Sequence, residues 1–269
     1  MKIDAILSPA ELPALASRDL RDTTCVVFDV LRATSTFVTA LHNGVKAIIP
    51  VSEIAEALAL RQKQPDVLLG GERDGVKIRA AQTGGINFDL GNSPREYTPE
   101  KVRGKTIVST TTNGTRALRA CAGAQTVLAA SFLNLTATAQ SIRRLQPAQI
   151  VLVCAGTREN MADEDVLAAG AMCEILDAPL APSLSPFGRG EGVRRMGEGF
   201  LQMTDSAEIA LRAYAQAKSN LAGAICRSEN ARRLLAIPEL CDDVAFCLQP
   251  DVFNLTATLG RDGTIRILI

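Results

Sequence analysis

The stretch Cys25-Val26-Val27-Phe28-Asp29-Val30-Leu31-Arg32-Ala33-Thr34-Ser35-Thr36 sets one carboxylate, one guanidinium and three hydroxyls within eight residues. An apolar run rich in β-branched residues precedes them, the pattern of a strand buried on both faces. A helical pattern begins at Phe37. The polar group therefore sits at the carboxyl end of a strand, beside a helix N-terminus whose free N–H groups favour anions. An acid next to anion-binding chemistry points to a metal-assisted phosphate site. The same residues also fit a plain helix N-cap at Thr34 or Ser35 with a surface ion pair, and this stretch alone does not choose between the two.

A second junction repeats the theme. The strand pattern Lys105 to Ser109 delivers Thr110-Thr111-Thr112-Asn113-Gly114-Thr115-Arg116 onto a helix from Ala117 to Ala122. Five hydroxyl or amide side chains, a glycine and an arginine at a strand-to-helix turn suit a phosphate or sulfonate better than a simple cap. It is not a Walker A loop, because the Gly-Lys-Ser/Thr end is missing. A third junction follows the buried run Gln149 to Ala155, where Asp163-Glu164-Asp165 open an apolar helix. Three acids there complement a helix dipole, the preferred reading of that segment taken alone. They are also how proteins hold Mg²⁺ through one or two ligands and water.

Composition narrows the chemistry. The chain has 269 residues, 47% of them apolar, and formal net charge zero with no long basic run. That suits an enzyme-sized α/β protein and argues against nucleic-acid or membrane-surface roles. The start lacks the charged-then-apolar order of a signal peptide and no apolar run reaches spanning length, so cytoplasmic residence is expected. Seven cysteines without a CxxC pair read as buried free thiols. One histidine, His42, at an apparent helix end, excludes His-rich zinc sites. Any hydrolytic metal must then be held by carboxylates and water, which points to Mg²⁺ or Mn²⁺.

These groups need elements to position them. A possible edge strand (Lys2 to Leu7), a helix (Ser35 to Asn43), a strand (Lys46 to Val51) and a helix (Ile54 to Gln64) surround the first junction. Asp66 to Leu69 reads as a strand running into a loop, Gly70-Gly71-Glu72-Arg73-Asp74-Gly75, whose glycines let backbone approach a ligand. A further turn-rich loop spans Gly84 to Pro94. A shift of 79 residues lays Thr34 on Asn113, Thr36 on Thr115, Gly44 on Gly123 and Ser52 on Ser131. This predicts two related βαβα units whose polar turns face one crevice. The Pro/Gly/Arg-rich stretch 178–199 reads as a loop insertion. Cys226 and Arg232 match a cysteine-phosphatase spacing, but within a helical pattern, so the match is chance. Val244 to Leu248 and Thr264 to Leu268 are expected as strands closing a sheet edge. The fold class is α/β, mostly parallel sheets with flanking helices, as one region over 1–269. A division into two subdomains near residue 140 is left open.

Taken in register, six motifs resemble one family. They are Phe-Asp-Val-Leu-Arg-Ala-Thr-Ser-Thr, Gly-Gly-Glu-Arg, Leu-Gly-Asn-Ser-Pro, Ser-Thr-Thr-Thr-Asn-Gly-Thr-Arg-Ala-Leu, Cys-Ala-Gly-Thr and Glu-Asp-Val-Leu-Ala-Ala-Gly. The chain resembles the 2-phosphosulfolactate phosphatase (ComB) family over nearly its whole length. It departs at 178–199 and in the polar stretch from Arg158 to Asp163. The resemblance implies a fold peculiar to that family. It also implies a Mg²⁺-dependent hydrolysis of 2-phosphosulfolactate to sulfolactate and phosphate, on a coenzyme M route. With that weight, Asp29, Glu164 and Asp165, with Glu72 as a further candidate, become expected metal ligands. Arg32 and Arg116 become catalytic anion holders. Thr34, Ser35 and Thr36 with Thr111, Thr112, Asn113, Gly114 and Thr115 form the expected substrate cradle. A nucleophilic Asp29 is less favoured, because Leu31 stands where haloacid-dehalogenase-type phosphatases carry a second Asp. Two alternatives stay open: the same chemistry on another small phosphorylated acid, and a non-catalytic module that binds an anionic metabolite. Either takes a small anionic partner. A homo-oligomer is also left open by the apolar helix Val166 to Met172.

Overall fold

A computed structural model describes residues 1–178 and 201–269. In chain order it gives β1 (Lys2–Ile6), α1 (Leu12–Ala16), β2 (Thr23–Phe28), α2 (Ala33–His42), β3 (Ala47–Val51) and α3 (Ile54–Lys63). Next come β4 (Leu68–Arg73), β5 (Val76–Lys77), α4 (Ala80–Thr83) and α5 (Pro99–Val102). Then follow β6 (Thr106–Thr110), α6 (Gly114–Ala120), β7 (Thr126–Ala130), α7 (Leu135–Leu145), β8 (Gln149–Cys154) and α8 (Asp163–Asp177). The second described stretch holds β9 (Gln202–Met203), α9 (Asp205–Ala217), α10 (Leu221–Ile225), α11 (Glu229–Leu235) and α12 (Cys241–Cys247). It ends on β10 (Ala257–Leu259) and β11 (Ile265–Ile267). The insertion expected at 178–199 lies, apart from Ala178, outside the described residues.

The described strands form one 11-stranded sheet in the order β5-β4-β6-β3-β11-β10-β7-β2-β8-β1-β9. Strands β4, β6 and β3 are mutually parallel, and so are β7, β2, β8, β1 and β9. Helices cover both faces, as a strand without a polar face requires. Along β2, Val26 and Phe28 enter one core with α8 and α9, while Cys25 and Val27 enter another with α1, α2 and α6. A smaller core joins β4, β6 and α3 through Leu69, Val108 and Ala57.

The strand order bears out the expected pair of related units. Exchanging β2 with β6, β3 with β7 and β4 with β8 maps β4-β6-β3 onto β8-β2-β7. Each unit lends a strand to the other: β3 pairs with β6, and β7 with β2.

Four expectations need correction. The C-terminal strands do not close an edge. The β10–β11 hairpin is antiparallel to β7 on one side and to β3 on the other, so it joins the two halves. Short strands give no sign of which edge they will find. Residues 241–247 are helical, with Asp243, Val244 and Cys247 buried at helical spacing. A short apolar run such as Val244 to Leu248 fits strand or helix equally. The expected loop after Leu69 is the end of β4, and Asp74-Gly75 is a two-residue hairpin turn to β5, both residues at positive φ (53° and 79°). Finally, β1 is not at the edge, because β9 pairs outside it.

Candidate active site

Asp29 is the first residue past β2 and is 7% exposed. The turn it begins is closed on itself. The Asp29 N–H donates to Thr34 Oγ1 (3.1 Å), the Thr34 N–H to the Asp29 carbonyl (3.0 Å), and the Ala33 N–H to Asp29 Oδ1 (3.0 Å). Ser35 Oγ donates to the Val30 carbonyl and Thr36 Oγ1 to the Asn92 carbonyl, both at 2.8 Å. Thr34, Ser35 and Thr36 are thus fully buried and spent on the fold, and none lines the cleft. Where the sequence leads one to expect substrate contacts, their hydroxyls hold Asp29 and dock the Leu-Gly-Asn-Ser-Pro loop.

The second polar turn meets the first. Gly114 opens α6 against Asp29, and a Cβ there would lie 2.8 Å from Asp29 Oδ2 and 2.8 Å from the Ala33 Cβ. The N-terminal N–H groups of both α2 and α6 therefore bear on one carboxylate, the protein's own. Thr111 and Thr115 are buried and share a hydroxyl contact of 3.2 Å. Thr112 and Asn113 do line the cleft. Thr112 donates through both N–H and Oγ1 to Glu72 Oε1 (2.9 Å each), and Asn113 Oδ1 accepts from the Arg158 N–H (3.1 Å).

Glu72, at the end of β4, is 7% exposed and lines the same cleft as Asp29. Its Oε2 accepts from the Gly75 N–H (2.7 Å), so the Asp-Gly turn fixes its rotamer. Arg32 also lines the cleft, yet its charge is spent. It pairs with Asp243 at 2.7 Å, both side chains at most 2% exposed, and donates to the Gly75 carbonyl at 2.5 Å. Arg116 does not join it. It lies in a neighbouring exposed groove with Arg73 and Thr111, paired to Glu159 at 2.6 Å.

The two acids of α8 part company. Asp165 Oδ1 accepts from the Val30 N–H (2.8 Å) and Oδ2 from the Gly156 N–H (2.9 Å). It does not line the cleft; where the sequence leads one to expect a metal ligand, the structure has it tying the ends of β2 and β8 to α8. Glu164 is 1% exposed; its Oε1 accepts from Asn230 Nδ2 (2.8 Å), while among the described residues its buried Oε2 has no hydrogen-bond partner.

Charge is concentrated here. Burial pushes the Asp29 carboxyl up to about 7; the Glu72 and Glu164 charges push the same way, against the Ala33 and Gly114 N–H groups. Burial likewise raises Glu164, partly offset by the Asn230 hydrogen bond. Among the described residues no three His, Cys, Asp or Glu side chains converge closely enough to enclose a metal by themselves. Mg²⁺ asks less: one or two carboxylates, with water and substrate oxygens completing its shell. The hard-oxygen donors Asp29 and Glu72, which line the cleft, fit that ion; Glu164, behind Asn230, does not line it.

Two further lining residues, Thr157 and Arg158, follow β8, where Thr157 ends the Cys-Ala-Gly-Thr motif; Asn230 and Arg233, from α11, carry no signal in the sequence. The Asp-Gly pair at 74–75, a hairpin signal, would have found the Glu72 turn.

Comparison with known proteins gives one answer. The chain matches the family described as 2-phosphosulpholactate phosphatase over residues 9–261. It is 38% identical over 255 residues to a probable 2-phosphosulfolactate phosphatase of Caldanaerobacter subterraneus subsp. tengcongensis, covering 94% of each chain. It is 39% identical over 236 residues to one of Thermotoga petrophila, covering 88% of each. To one of Clostridium acetobutylicum it is 34% identical over 256 residues, with 95% of this chain and 96% of that one covered. Set beside a cleft with two buried acids at adjacent polar turns, these matches mean that the chain belongs to the 2-phosphosulfolactate phosphatase family.

Proposed function

We propose that the protein hydrolyses 2-phosphosulfolactate to sulfolactate and phosphate, with Mg²⁺ as cofactor. The observation that carries the reading is the meeting of Asp29 and Glu72, from two different strand ends, in one cleft that arginines also line. A binding module would need the arginines but gains nothing from two buried, mutually repelling acids. Near-complete coverage of relatives named for this activity supports the substrate.

Asp29 and Glu72 would hold the metal. When bound, Mg²⁺ supplies neutralisation of phosphoryl charge and lowers the pKa of a water. The chain's part is positioning. The α2 and α6 N-termini keep Asp29 aimed into the cleft, and the Asp74-Gly75 turn and Thr112 do the same for Glu72. Asn113, whose Oδ1 is occupied by Arg158, keeps its Nδ2 to donate to a substrate oxygen. Among the described residues no helix is long and apolar enough to cross a membrane, in keeping with a small dissolved substrate.

Phosphate release from 2-phosphosulfolactate is measured with Mg²⁺ and with EDTA, in wild type and Asp29→Asn. Removing a metal-holding carboxylate withdraws several kcal/mol of charge stabilisation, so the variant should lose at least about 100-fold in turnover. Wild-type release that persists in EDTA, or Mg²⁺-dependent release retained by Asp29→Asn, overturns the assignment.

A further inference from the structure

The cations around the cleft are mostly committed. Arg32 is paired with Asp243, Arg116 with Glu159, and Arg73 donates to the Ser52 carbonyl and Thr110 Oγ1. Arg158 is 72% exposed and reaches Asp74 only at 3.5 Å. Arg233 is different. It lines the cleft half-buried, and among the described residues its side chain has neither an ion pair nor a hydrogen bond.

Its position is nonetheless fixed. Ala231 and Leu234 seat α11 in the core, at 0% and 4% exposure. One turn before Arg233, Asn230 Nδ2 bridges Thr157 Oγ1 (2.6 Å) and Glu164 Oε1 (2.8 Å). The guanidinium rests on Gly75, where a Cβ would stand 3.1 Å from Nη2. A guanidinium that lines the cleft and, among the described residues, is paired with none of its carboxylates is an arrangement that a ligand anion completes.

We infer that Arg233 binds the acid group of the substrate that is not transferred, its carboxylate or sulfonate. This rests on the phosphatase reading, in which the phosphoryl group lies against Asp29 and Glu72. The remaining negative charge needs a cation that the fold has not already spent. Arg233 therefore sets specificity for phosphate esters carrying a second acid.

The test uses Arg233→Met and Arg233→Lys with thermal melts as the folding control. Binding of sulfolactate and of inorganic phosphate is measured by calorimetry with Mg²⁺. In Arg233→Met, sulfolactate should bind about 10–100-fold more weakly, the worth of a charge-assisted pair, with phosphate changed less than about threefold. Arg233→Lys should recover part of the loss. In turnover, KM for 2-phosphosulfolactate should rise by a similar factor with kcat nearly kept. The same rise on 2-phospholactate, which lacks the sulfonate, assigns Arg233 to the carboxylate; a rise confined to 2-phosphosulfolactate assigns it to the sulfonate. Equal weakening of phosphate and sulfolactate, or no weakening of either, overturns the proposal. Absence of wild-type turnover would overturn the phosphatase reading instead, while the binding arm still decides Arg233.

Discussion

Asp29 is held by groups that ordinarily attract a ligand anion: the first N–H groups of α2 and α6. Those groups stabilise its charge, yet burial and the neighbouring acids outweigh them and its carboxyl titrates near 7. The sign of the consequence follows from proton counts. Between the ordinary Asp value of 3.8 and about 7, the folded protein binds more protons here than the unfolded chain, so stability falls as pH rises through that window. At about 1.4 kcal/mol per unit, the whole fall is at most about 4 kcal/mol. Urea unfolding in EDTA at pH 4.5 and 7.5 checks it: wild type should lose stability toward pH 7.5 and Asp29→Asn should lose much less. Equal slopes in the two proteins would mean that another group titrates there. Asp29 was legible because an acid directly follows an apolar run. That Thr34, Ser35 and Thr36 turn into the fold and not into the cleft has an equally physical cause. A hydroxyl at a helix start can face ligand or backbone, and only burial decides which. Arg233 was illegible for the opposite reason, since a charged residue on a helix ordinarily reads as a solvated face.

The elements that carry the acids are aligned by a buried ion pair. Arg32, from the turn after β2, bonds both Asp243 of α12 and the Gly75 carbonyl of the β4–β5 hairpin. Asp243 in turn accepts from Ser93 Oγ at 2.7 Å, so four separate segments converge on one contact. Removing one partner strands a buried charge, so Asp243→Ala should cost about 3–5 kcal/mol in urea unfolding. Adding Arg32→Met to it should return part of that loss, because the stranded charge is then gone. A single-variant cost below about 1 kcal/mol, or no recovery in the pair, would show the contact to be incidental. The variant should also slow turnover beyond its effect on stability, since Gly75 fixes Glu72. None of this was readable from the tail, where Val244 to Leu248 passed for a strand. The helix buries Asp243 beside Val244 and Cys247, and a buried acid becomes intelligible only with the arginine it meets 211 residues away.

At the scale of the molecule, the sheet has two halves, each built from strands of both related units, and they run in opposite directions. Passing from β7 through β10 and β11 to β3 crosses three antiparallel pairings, so β4-β6-β3 is antiparallel to β7-β2-β8. Strand twist of roughly 20–25° per step turns the five steps from β2 to β6 through roughly 100° or more. This swings the two polar turns toward each other, and Gly114 does meet Asp29. The echo at a shift of 79 residues foretold the related units but not the joint, because the hairpin belongs to neither. That joint is small. It rests on the pairings of Ala257 to Leu259 with β7 and of Ile265 with Ile48 of β3, with Ala257 and Ile265 wholly buried. Ending the chain at Leu255 would expose an edge on each half and free them to turn independently. The truncated protein should lose cooperative thermal unfolding and all turnover, while Arg266→Ala, on the exposed side of β11, should leave both within about twofold and 1 kcal/mol of wild type. A truncated chain that still melts cooperatively and hydrolyses substrate would mean that the halves hold Asp29 and Glu72 together by the helix contacts alone. The hairpin would then be a cover rather than the joint.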